Sequence, residues 1–224
     1  MKEVKGRLSR REVLFFLVGG FAGVTTTTAG FVAVPRFLAK RSAQTEPSRR
    51  LDIGYAQSMV QHHNQALVMA SLIEPHASEP VARLARSIIK AQTSEIEQLK
   101  GWLIALEAPM LPADGDWMGW MREVDSLLNI NERLYLARCD NDPNGMEGLA
   151  SPEQLQQLAD KSSPAQAREQ LFLKLMIKHH QGAVEMSTLP ARHATTRYMR
   201  HLAAHVVESQ SRETALMKGL LARP

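Results

Sequence analysis

Two stretches of this chain, MVQHHNQALVM at residues 59–69 and MIKHHQGAVEM at residues 176–186, are copies of one another. Met59, His62, His63, Ala66 and Met69 meet Met176, His179, His180, Ala183 and Met186 at a constant offset of 117. The offset holds as far as His76, whose counterpart is His193. One residue is then inserted, the offset becomes 118, and Leu84, Ile88, Gln92, Glu95 and Lys100 meet Leu202, Val206, Gln210, Glu213 and Lys218. An internal repeat of this kind constrains the architecture before any single element is read.

Each copy reads as helix, turn, helix. Met59, His62, His63, Ala66, Met69, Ala70 and Ile73 recur at the i, i+3, i+4, i+7 spacing of one helical face. Leu84, Ala85, Ile88, Gln92, Glu95, Leu99, Trp102 and Leu103 repeat the pattern in the following helix. Pro75 and Pro80 punctuate the first connection and Pro190 the second. Two such hairpins bury their stripes most simply against each other, which predicts an all-α, four-helix bundle over residues 51–221. Its parts are repeat one (55–106), an inter-repeat segment (107–164) and repeat two (165–221). In the middle segment a short helix is expected over 122–138. Ser151-Pro152 and Ser163-Pro164 each fit an N-cap followed by proline at the first helical position.

The formal charge of +4 is a sum of unlike parts: residues 1–50 carry +7 and residues 51–224 carry −3. A nucleic-acid-binding body is therefore excluded as the explanation of the basic average. The basic excess surrounds an uncharged run at 13–34, VLFFLVGGFAGVTTTTAGFVAV. At ~1.5 Å per residue it extends ~33 Å, enough to cross a bilayer core. Residues 1–12 hold Arg10-Arg11, which resembles a twin-arginine export signal, and no A-x-A-like site closes the apolar run. The reading is an N-terminal transmembrane anchor, with 35–50 as a polar tether. Five Lys/Arg on each side leave the positive-inside rule undecided. The twin arginines favour a single-pass bacterial membrane protein with its C-terminal body outside the cytoplasm.

All eight His and ten of the eleven Met lie beyond residue 51. Cys139 is the one cysteine, so an internal disulfide and thiolate clusters are excluded. The informative residues are the polar ones within the apolar stripes: Gln92 and Glu95 in one repeat, Gln210 and Glu213 in the other. Burying a carboxylate costs several kcal/mol unless it is paired or bound to metal, and the abundant partners are His62, His63, His179 and His180. Two imidazoles and a carboxylate on neighbouring helices form a common metal set. Met59, Met69, Met176 and Met186 share the histidine faces, and thioether beside imidazole favours copper, with another divalent metal as the alternative. Three classes of function stay open on these residues. One is a metal-binding protein. The second is a bundle whose Glu–His and Gln–His hydrogen bonds only lock the hairpins. The third is a di-metal oxidase, against which stands the lack of a Glu-x-x-His motif. No enzyme is the favoured reading.

M-x-x-H-H-x-x-A-x-x-M followed by I-I-x-x-Q-x-x-E-I resembles a ferritin-like family of bacterial extracytoplasmic proteins, a domain of unknown function that includes copper-resistance proteins of the CopM type. The resemblance covers about 51–221 and takes in Met146–Leu155 and Phe172–Ile177. It implies a ferritin-like bundle and copper handled outside the cytoplasm. The residues it implicates are His62, His63, Met59, Met69, His179, His180, Met176 and Met186, with Gln92/Glu95 and Gln210/Glu213 on the following helices. Glu185, Val206-Val207 and Thr214 depart from the family pattern. The partners expected are a metal ion and the membrane; pairing with a second copy into a homo-oligomer is left open.

Overall fold

The computed structural model describes the backbone of residues 29–222 and the side chains of residues 49–222. Residues 1–12 and most of the apolar run 13–34 lie outside the described residues. Among those described, no helix is long and apolar enough to cross a membrane. The chain separates into two units, residues 1–40 and 41–224, and the second holds the bundle.

The described elements are helical. Helices α1 (Ala29–Ile73) and α2 (Glu79–Ala105) form the first hairpin, and α6 (Ala165–His193) and α7 (Arg197–Leu221) the second. Between them stand α3 (Gly119–Glu123), α4 (Ile130–Asp140) and α5 (Pro152–Ala159). The backbone of residues 35–50 belongs to α1. The stripes read from periodicity are the buried faces: one core cluster joins Met59, Leu99, Leu103, Ala183, Met186 and Val206, and a second joins Ala66, Met69, Ile88, Phe172, Met176 and Met217. All four long helices contribute to each cluster, which makes the four-helix bundle.

Helices α1 and α6 run antiparallel. The pair Tyr55–Ser187, hydrogen-bonded at 3.0 Å, and the pair His62–His179, with ring centroids 3.8 Å apart, step in opposite directions along the two helices. A two-fold axis that exchanges residue n with n+117 maps the His62–His179 contact onto itself. The repeats are therefore related about this contact.

The same relation ties the hairpins at their ends. Asp52 on α1 accepts the Thr195 N–H at 2.9 Å, just before α7 begins. Its counterpart, Glu169 on α6, accepts the N–H of Ser78 at 2.5 Å and its hydroxyl at 2.8 Å, at the N-cap of α2. Each carboxylate thus meets free N–H groups at a helix start in the other hairpin, where the helix dipole also favours negative charge.

Three expectations change. The single helix over 122–138 is broken: Leu128 is extended, and Asn129 starts α4 afresh with a capping box to Glu132. Ser151 does cap α5, in a capping box with Gln154, but Ser163 does not cap α6. The Ser163 hydroxyl turns to Asp160, and Pro164 occupies the N-cap position. Pro190 lies inside α6 rather than in the connection, because it falls in the last turn and its carbonyl still accepts the Ala194 N–H.

Asp52 is nearly inaccessible, and burial drives its carboxyl from an ordinary 3.8 up to about 6, against the pull of Thr195 and Arg200. The folded state thus binds the proton more tightly than the unfolded chain. This group's contribution is present below about pH 4 and is lost as pH rises through about 6. Asp52→Asn, which retains an acceptor for Thr195, is expected to raise Tm at pH 8, by at most ~3 kcal/mol in stability, with the gap closing toward pH 4. Thermal melts of the two proteins across that range check this. A lower Tm for the variant at pH 8 would show that the carboxylate charge itself holds the start of α7.

Candidate metal centre

The adjacent histidines of each repeat do different jobs because consecutive residues on a helix point ~100° apart. His62 and His179 face each other across the two-fold axis, with rings tilted 38°. His63 and His180 turn toward the second helix of their own hairpins. His63 Nε2 lies 2.8 Å from Glu95 Oε2, and His180 Nε2 lies 2.7 Å from Glu213 Oε2. All four imidazoles are fully buried. The expectation that buried glutamates would find histidine partners is met within each hairpin.

These contacts assign the tautomers. A carboxylate only accepts, so His63 and His180 donate from Nε2. His179 Nε2 donates to the His62 carbonyl at 2.8 Å. In all three rings the proton is thus committed at Nε2, and the lone pair stands on Nδ1. Each of those Nδ1 atoms is buried without a hydrogen-bond partner among the described residues. Among the described residues neither nitrogen of His62 has a partner of ordinary geometry, and the Gln92 and Gln210 amides, expected to pair with the histidines, are unpartnered at both oxygen and nitrogen.

Burial, reinforced by nearby His63 and His180, pushes His62 from 6.5 down to about 3, with slight opposition from the Glu147 backbone. Burial, then neighbouring His62 and His180, holds His179 well below its ordinary range. The central pair is therefore neutral at physiological pH and keeps its lone pairs. The four methionines are fully buried and sort by level rather than by repeat: Met59 and Met186 fall in one core cluster, Met69 and Met176 in the other. Thioethers from both repeats thus occur in each of the two core clusters. Among the described residues no three His, Cys, Asp or Glu side chains stand close enough together to form a ready-made chelate.

A segment that periodicity does not reveal closes this core. Gly148, at φ +100°, and Gly182 let the chain at 147–148 lie directly on α6. A Cβ on Gly182 would stand 2.2 Å from the Glu147 carbonyl oxygen, and one on Gly148 2.9 Å from that of Lys178. On α1 the residue matched to Gly182 is Gln65, whose amide clasps Ala150 at both N–H (2.6 Å) and carbonyl (2.9 Å). Arg138 on α4 pairs with both Glu147 and Glu185, which accounts for the charged residue beside Met186. The two glycines were the available signal.

Residues 52–221 match the profile of a domain of unknown function, DUF305. The chain belongs to the DUF305 family. Its fold is shared with a DUF305 protein from Streptomyces coelicolor described as secreted (29% identity, 77% of this chain and 92% of that one, TM-score 0.64). A DUF305 fragment from Deinococcus radiodurans matches at 25% identity, 78% and 97% coverage and a TM-score of 0.59. CopM in a Cu(I)-bound form matches at 25% identity, 75% and 94% coverage and a TM-score of 0.53. The comparison with curated proteins gives no match.

The other His, Met, Trp and Cys side chains of this DUF305 chain sort by burial. His76 and His193 are exposed, in the turn after α1 and at the end of α6. Met118, Trp120 and Met121 are buried against α1 as a plug. Trp120 donates from its indole to Ser58 at 3.1 Å and rests on Gly54, where a Cβ would meet it at 2.1 Å. Cys139 is a buried core residue whose sulfur receives the Glu147 N–H. His205 is solvent-exposed, yet its Nε2 lies 3.8 Å from Glu95 Oε1.

Gly182→Ala is expected to lift residues 147–148 off α6, at a cost of about 1–3 kcal/mol of overpacking, and to open the central histidines to solvent. Thermal melts together with diethyl pyrocarbonate modification check it. An unchanged Tm and unchanged histidine protection would show that the segment does not seal the core.

Proposed function

We propose that this domain binds copper outside the cytoplasm, to sequester the ion or pass it on, and that an N-terminal membrane anchor carries it. The observation behind this reading is the set of Nδ1 lone pairs on His63, His179 and His180, fixed by acceptors at Nε2 and buried with no donor to meet them. An unmet buried polar group costs about 1–3 kcal/mol, and here the cost recurs in both repeats. A cation is what such lone pairs lack. The ligands would be the four histidines, joined by Met59, Met69, Met176 and Met186. Soft sulfur beside imidazole selects Cu(I) over hard cations. Glu95 and Glu213 would then act mainly as orienting groups, each fixing a ring and raising its basicity. Gln92 and Gln210 supply free amide oxygens on the same faces. The DUF305 relative CopM, at 25% identity, carries Cu(I), which supports the choice of metal.

A structural network is the second reading, favoured by the two Glu–His hydrogen bonds themselves. The unpartnered Gln92 and Gln210 amides weigh against it, since a network kept only for hairpin register gains nothing from unsatisfied members.

Competition with a Cu(I) chelator tests the two. The metal reading predicts binding tighter than micromolar by the wild-type chain, weakened at least a hundredfold in His63→Gln/His180→Gln, with helicity retained. A metal-free protein whose Tm does not respond to Cu(I) would leave only the structural network.

A further inference from the structure

The two halves of the bundle match at the core but not at the surface, and the mismatch falls on the carboxylates. Glu95 uses Oε2 for His63 and turns Oε1 toward His205 on α7, 3.8 Å from its Nε2. That separation is too long for a hydrogen bond. Two ligands each ~2.0–2.2 Å from one metal ion stand ~3.3–4.4 Å apart as the angle between them opens from tetrahedral toward linear. The spacing between His205 and Glu95 falls inside that range. Exposure drops steeply along the same line, from 58% for the His205 side chain to 5% for Glu95 and 0% for His63.

In the other half Ser87 stands where the repeat would place this imidazole. Glu213 there is 19% exposed and lines an open surface pocket of about 340 Å³ with Arg83 and Ser87. Arg83 has no lone pair to offer a cation and is itself paired with Glu79 at 3.2 Å. The more open mouth is thus the one with the wrong chemistry.

We propose that His205 and Glu95 form a surface transit site through which copper reaches the buried core, so that the bundle loads from one side. Two protein ligands, completed by water, hold an ion weakly and release it readily, as transit requires. His205 hands the ion to the Glu95 carboxylate, whose other oxygen is already at His63. The half containing Glu213 fills by way of the shared core. This inference rests on the reading of the histidine core as a copper site.

Anaerobic stopped-flow mixing of the full chain with a Cu(I)–bicinchoninate complex, followed by loss of the chelate's absorbance, tests it. His205→Ser installs the residue that the other half carries, and His201→Ser removes another exposed imidazole one turn away. The expected result is uptake at least tenfold slower in His205→Ser, with final copper content unchanged, and wild-type kinetics in His201→Ser. Wild-type kinetics in His205→Ser, or equal slowing in both variants, would overturn the transit site while leaving the copper core intact. A wild-type chain that takes up no copper would overturn the core reading and this inference together.

Discussion

The contact on which this structure turns is the meeting of His62 and His179, two buried imidazoles with centroids 3.8 Å apart on the axis that relates the repeats. Both rings must be neutral, since burial and the neighbouring histidines disfavour a proton on either. Neutral rings accept close packing, so α1 and α6 cross where the small counterparts Ala66 and Ala183 also lie buried. Once this contact is set, the neighbours fall into place. His63 and His180 are carried outward to Glu95 and Glu213, and the methionines divide into levels above and below. Apolar side chains at 62 and 179 would pack more cheaply. The polar centre present in both copies is what the proposed copper site would use.

Around that centre the molecule departs from its own symmetry in three places. Residues 146–150 cross one side only, held by Gln65 on α1 and admitted by Gly182 on α6. The Trp120 plug covers one end only, seated on Gly54. His205 faces one carboxylate only. A duplicated hairpin would by itself build two equivalent halves. These additions cover one face, close one end and leave one exposed imidazole beside a buried carboxylate, so the symmetric core sits in an asymmetric surround.

Much of this was legible in the residues. The repeat, the stripes and the need of Glu95 and Glu213 for histidine partners came from spacing and the cost of burying charge. Helical periodicity reports an angle around an axis, however, and not which level of a neighbouring helix a side chain meets. It therefore left open whether each histidine would look across the axis or within its hairpin. It also paired Gln92 and Gln210 with histidines that the glutamates had already taken. His205 stands on an outer face, but an outer face near a helix seam still reaches a neighbour's carboxylate. The break at Leu128–Asn129 depends on a capping box, a local competition that apolar periodicity does not register. The seal by residues 146–150 depends on backbone contact, for which Gly148 and Gly182 were the sole marks.

X-ray absorption at the copper edge of the Cu(I)-loaded full chain tests the central claim most directly. A histidine–methionine core predicts a first shell of imidazole nitrogen and thioether sulfur, with the outer-shell scattering of imidazole rings, and loss of that imidazole signal in His63→Gln/His180→Gln. A shell of oxygen ligands without imidazole scattering, unchanged by those substitutions, would contradict it.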